Sequence, residues 1–89
     1  MPDKNLIAIL DDEQDIVNLI AINLEKAGYL PLKFNKPSEL FVYFEKSEKL
    51  PVLLILDLML PEIDGFEIAK KLKQNPRLKD ILIIMLTAK

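Results

Sequence analysis

Five consecutive apolar residues, Val52, Leu53, Leu54, Ile55 and Leu56, run directly into a carboxylate, Asp57, and then into a loop punctuated by Pro61 and Asp64-Gly65. A run this short, apolar at every position and rich in branched side chains, reads as a central parallel strand covered by helices on both faces. Parallel neighbours need long crossover connections, usually helices. The run therefore points to an α/β sandwich. It also places a charge at the carboxyl end of a buried strand, the edge where open α/β sheets bind ligands. Asp opens turns and caps helices as well, so Asp57 alone leaves both readings open.

The remaining segments alternate in the same way. Residues 6–10 (LIAIL) form a second apolar run that ends in Asp11, Asp12 and Glu13. A helix is expected over residues 13–27, with Ile16, Leu19, Ile20, Leu24 and Ala27 at helical spacing. Asp12 is placed to cap it and Gly28 to end it in a left-handed conformation. Residues 29–34 read as the second strand, and Pro31, which cannot donate to a ladder, assigns that strand to a sheet edge. Asn35 and Pro37 open a second helix with Leu40, Phe41 and Phe44 as its apolar stripe. A third helix is expected over residues 66–74, burying Phe66, Ala69 and Leu72, and Asn75-Pro76 stops it. The fourth strand, residues 81–86, is apolar on both faces and leads into Thr87, Ala88 and Lys89.

Right-handed crossovers and an edge position for strand two give the order 2-1-3-4, the start of a flavodoxin-like parallel sheet in a three-layer sandwich. Strands one and three then flank the topological switch point, and Asp11, Asp12 and Asp57 converge on one mouth. Like charges held close destabilise a site unless something positive joins them. The chain has no Cys and no His. That excludes disulfides, thiolate chemistry, Cys/His zinc sites and His general bases. A metal here must be held by oxygen, which means a hard cation such as Mg²⁺. Alternatively, Asp11 and Asp12 serve only as helix caps. Thr87 is either a hydroxyl donor beside Asp57 or a strand-end residue bonded to its own backbone.

Charge and hydropathy narrow the partners. Twelve basic and fourteen acidic residues give a net charge of −2, which offers no electrostatic footprint for nucleic acid or an anionic membrane. No apolar run reaches membrane-spanning length, and the opening MPDKN is no signal peptide, so a cytoplasmic protein is expected.

The segments ILDDE, LLILDLMLPEIDGFE and IIMLTAK together resemble the receiver (CheY-like) domain of two-component response regulators, in register over residues 1–89. The resemblance implies that Asp57 is the phospho-acceptor and that the phosphoryl group comes from the phosphohistidine of a histidine kinase. It implies Mg²⁺ bound directly by Asp12, largely through water by Asp11, and through the backbone carbonyl of Met59, with Asp57 also in the metal set. Thr87 would be the switch hydroxyl, and Ala88 the small residue that leaves access to the site. Such a domain assists its own phosphorylation and is not a turnover enzyme. The MLTAK ending is similar to receivers that carry transcription-factor output domains.

Receivers of this family continue through a fourth helix, a fifth strand bearing a phosphoryl-pairing Lys, and a fifth helix. Lys89 lies two residues beyond Thr87 and is not that Lys, so the chain reads as an amino-terminal, truncated receiver with a weak or short-lived phospho-adduct. The alternative is a non-signalling fragment or assembly module that retains the scaffold. A strand apolar on both faces and left at an edge is expected to self-associate. A phosphatase of the haloacid-dehalogenase kind would want a second Asp where Met59 stands. A nucleotide-binding flavodoxin relative would want a phosphate-cradling loop where DDEQD stands.

Overall fold

The computed structural model describes residues 2–86, with side chains from Asn5 onward. The chain runs β1 (Pro2–Leu10), α1 (Gln14–Lys26), β2 (Leu30–Phe34), α2 (Pro37–Lys46), β3 (Leu50–Asp57), α3 (Gly65–Gln74) and β4 (Leu82–Leu86). All three strand pairings are parallel, in the order β2-β1-β3-β4. The expected order is thus the observed one, with Pro31 on the edge strand. Gly28 takes φ 94°, the left-handed conformation expected of it at the end of α1.

Side chains alternate across the sheet, so each strand feeds two cores. On one face Ala8, Leu10, Leu54 and Leu56 meet Leu40 and Phe44 of α2 and Ile68 and Leu72 of α3, all buried. Ile83 and Met85 of β4 pack against this cluster, half-buried. On the other face the core is smaller: Ile9 with Val17 and Ala21 of α1, flanked by Ile20 and Leu24. Beyond the reach of α1 that face opens, and Leu82 and Ile84 of β4 are 63% and 52% exposed.

Four local expectations are corrected. The N-cap of α1 is Glu13, whose side chain makes no cap bond, and not Asp12. The buried seam of α1 is Val17 and Ala21, while Leu19 is exposed, as is Ala27. In α3 the buried residues are Gly65, Ile68 and Leu72, and Phe66 is 62% exposed. The expected set Phe66, Ala69 and Leu72 steps by threes, which falls short of a 3.6-residue turn and drifts around the helix. Ile68 and Leu72, four apart, stay on one side. Strand four begins at Leu82, with Ile81 buried in the turn before it.

Candidate functional site: the acidic mouth at the switch point

Register brings the acids together. Leu10 of β1 pairs with Leu56 of β3, so the next residue of each strand, Asp11 and Asp57, emerges at the same level of the sheet. Both are fully buried, whereas Asp12, one residue on, is exposed. The three carboxylates each present an oxygen, and these oxygens lie within 4.8 Å of one another.

Short backbone bonds hold the two buried carboxylates in place. Asp11 Oδ1 accepts the Glu13 backbone N–H at 2.9 Å, and Asp57 Oδ1 accepts that of Met59 at 3.0 Å. The loop after Asp57 is closed by an antiparallel bridge between Met59 and Asp64 and by Gly65 N–H donating to the Leu58 carbonyl at 3.0 Å. Asp64 caps α3, its Oδ1 accepting from Phe66 N–H at 2.7 Å. The Met59 side chain points to solvent, 74% exposed. Thr87, the expected switch hydroxyl, lies outside the described residues, as do Ala88 and Lys89.

The donor set suits Mg²⁺. It is all carboxylate oxygen, the choice of hard cations. Carboxylate oxygens gathered within 4.8 Å of one another are close enough to share one such cation. Two fully buried carboxylates side by side are also costly in the absence of compensating charge.

Sequence reasoning assigned Asn35 only to the start of α2. Its side chain instead reaches the acid loop, donating from Nδ2 to the Asp11 carbonyl at 3.2 Å. The available signal was position: Asn35 follows the carboxyl end of β2, on the same sheet edge as the acids.

Parallel order β2-β1-β3-β4 with carboxylates gathered at the switch point defines an acidic-mouthed class of flavodoxin-like domain. The profile of the response regulator receiver domain matches residues 7–89, and the chain belongs to that family.

The alkaline phosphatase synthesis transcriptional regulatory protein PhoP of Bacillus subtilis is 43% identical over 83 residues, 93% of this chain and 33% of that protein. The amino-terminal domain of a response regulator receiver protein from Methanoculleus marisnigri JR1 superposes with a TM-score of 0.84 at 33% identity, covering 94% of this chain and 67% of that one. The Mn²⁺-bound form of response regulator Rcp1 superposes with a TM-score of 0.82 at 25% identity, covering 96% and 66%. The chain therefore spans about a third of the length of the curated relatives it matches and about two-thirds of these solved chains. No helix among the described residues is long and apolar enough to cross a membrane.

Proposed function

We propose that Asp57 accepts a phosphoryl group from the phosphohistidine of a histidine kinase, with Mg²⁺ held by Asp11, Asp12 and Asp57 and by the main-chain carbonyl of Met59. The observation that carries this reading is the meeting of three carboxylates, two of them fully buried, at the switch point of a receiver-family chain. The Mn²⁺-bound Rcp1 relative supports a divalent cation in the same fold.

In the transfer an Asp57 oxygen forms a bond to phosphorus as the P–N bond breaks, and the imidazole keeps that electron pair and takes up a proton. Such transfers ask the protein mainly for in-line positioning and charge neutralisation. A carboxylate is already charged and needs no general base, which suits a chain without His. The Met59 N–H on Oδ1 fixes the rotation of the Asp57 carboxylate. The bound cation supplies positive charge against the phosphoryl oxygens. Thr87 would donate its hydroxyl to one of those oxygens afterwards. In this reading the chain takes one phosphoryl group per event, is no turnover enzyme, and works in the cytoplasm, where the nucleotide that charges a kinase is held.

The test is intact-mass measurement after treatment with acetyl phosphate and Mg²⁺. The parent is expected to gain one phosphoryl group, short-lived and dependent on the cation, and Asp57→Asn to gain none. A gain that persists in Asp57→Asn sinks the reading.

The exposed side of β4 favours a second reading alongside the first, that the chain associates with a second copy through this strand. Leu82 and Ile84 carry it, half or more exposed on an edge strand that contains no charged residue.

A further inference from the structure

We propose that Asn35 is the positioning residue of the acidic mouth, fixing the backbone between Asp11 and Asp12 and thereby the preference of the site for Mg²⁺ over Ca²⁺. This rests on the metal reading above.

The edge strand grips the acid loop at two consecutive points. Asp11 N–H donates to the Phe34 carbonyl at 3.2 Å, and the Asp11 carbonyl accepts from Asn35 Nδ2, also at 3.2 Å. Because the acceptor is a carbonyl, the amide face turned to it must be the NH₂. Both main-chain groups of Asp11 are thus held, one by the last residue of β2 through its backbone and one by the side chain of the residue after it, 24 residues away in sequence. The second bond matters more for the site. It holds the carbonyl of the Asp11–Asp12 peptide, and the tilt of that peptide sets where the exposed Asp12 carboxylate hangs relative to the two buried ones.

Asn35 is itself anchored. Its backbone N–H donates to Glu39 Oε1 of α2 at 3.0 Å, so a line of hydrogen bonds runs from α2 through Asn35 to the acid loop. Asn35 and Asp12 also line the same cleft, of about 230 Å³, which places the amide at the margin of the site and not in a remote scaffold position.

The two cations respond differently to a loosened ligand. Mg²⁺ demands short bonds in near-octahedral geometry, whereas Ca²⁺ accepts more ligands, longer bonds and irregular angles. A tether that narrows the range of the Asp12 carboxylate therefore favours the smaller ion. Removing it should weaken Mg²⁺ about tenfold, the low end for loss of a group that orients a ligand, and Ca²⁺ by less.

The experiment titrates the 89-residue chain with MgCl₂ and separately with CaCl₂, following backbone amides by NMR, with thermal unfolding of each variant in metal-free buffer. Asn35→Ala removes the donor, and Asn35→Asp keeps the shape while replacing the donor with an acceptor. Glu39→Ala removes the bond on the α2 side and leaves the Asn35 amide in place. The Mg²⁺-to-Ca²⁺ affinity ratio is expected to fall in both Asn35 variants, even though the added charge in Asn35→Asp by itself strengthens both ions. Glu39→Ala, which loosens the anchor of Asn35 but keeps its amide, is expected to lower Tm and to lower the ratio by clearly less than either Asn35 variant. Parental ratios in both Asn35 variants overturn the inference, as does a Glu39→Ala ratio that falls as far as theirs. A parent chain whose Asp11, Asp12 and Asp57 amides ignore Mg²⁺ overturns the metal reading and this inference with it.

Discussion

Gly65 decides how closely α3 approaches the acidic mouth. A Cβ at this position would stand 2.9 Å from the Asp57 carbonyl oxygen and 2.9 Å from Leu58 Cα, with the Leu58 oxygen at 3.3 Å. These are backbone atoms at the end of the strand that carries Asp57, so nothing flexible can swing away. The closeness has a use: the Gly65 N–H reaches the Leu58 carbonyl at 3.0 Å and ties the start of α3 to the end of β3. Gly65→Ala is expected to cost about 1–3 kcal/mol through overpacking, a fall in Tm on the order of 10 °C for a domain of this size. It should also displace Asp57 enough to weaken the amide response to Mg²⁺. Thermal unfolding and the same titration check both, and an unchanged Tm would show that the β3–α3 junction yields.

The elements themselves were largely legible in the sequence, because each strand is a short apolar run and each helix a periodic one. What escaped was the rotation of helices about their axes. A pattern of apolar residues marks a stripe, but where more apolar residues exist than the seam can hold, packing chooses among them. In α1 the small Ala21 lets the helix lie close over Ile9 and draws Val17 in with it, leaving Leu19 outside. The acidic residues were found because each follows a buried run, but the carboxylate expected to cap α1 belongs to the cluster of three carboxylates instead, and Asn35 carried no signal beyond its position after β2.

Long-range side-chain caps were equally invisible. Arg77, in the turn between α3 and β4, donates from its guanidinium to the carbonyls of Phe44 and Ser47 at the carboxyl end of α2. A planar fork reaching two terminal carbonyls both satisfies acceptors that the helix leaves over and places a positive charge at the negative end of the helix dipole. Arg77→Lys keeps the charge but not the fork. Arg77→Ala is expected to lower stability by about 1–2 kcal/mol and Arg77→Lys by roughly half as much, read by urea unfolding. Equal stability of all three proteins would mean that water replaces the fork without loss.

At the scale of the whole molecule the two edges of the sheet that the described residues form are unequal. The β2 edge is guarded by Pro31, which offers no donor, and by the exposed Lys33. The β4 edge holds Leu82, Ile83, Ile84, Met85 and Leu86, with no charge and no Pro. One side of β4 is committed to the core through Ile83 and Met85. The other presents Leu82 and Ile84 next to their register partners Leu53 and Ile55, which are half-buried. A second copy related by a two-fold axis meets this surface with the same surface, and two such edges can pair by backbone hydrogen bonds. Burying a half-exposed aliphatic side chain gains about 1 kcal/mol, and only a handful is on offer. A permanent dimer buries far more apolar surface than that, and association itself costs several kcal/mol. The expected outcome for the 89-residue chain is therefore weak, concentration-dependent self-association and not an obligate dimer. Sedimentation equilibrium over a wide concentration range should show the average mass rising with concentration. Ile84→Lys, placed at a side chain that is 52% exposed and so tolerant of charge in the folded monomer, should hold it at the monomer value with Tm little changed. A parent chain that stays monomeric and unfolds cooperatively at every concentration would show that this face is left to water or to a different partner.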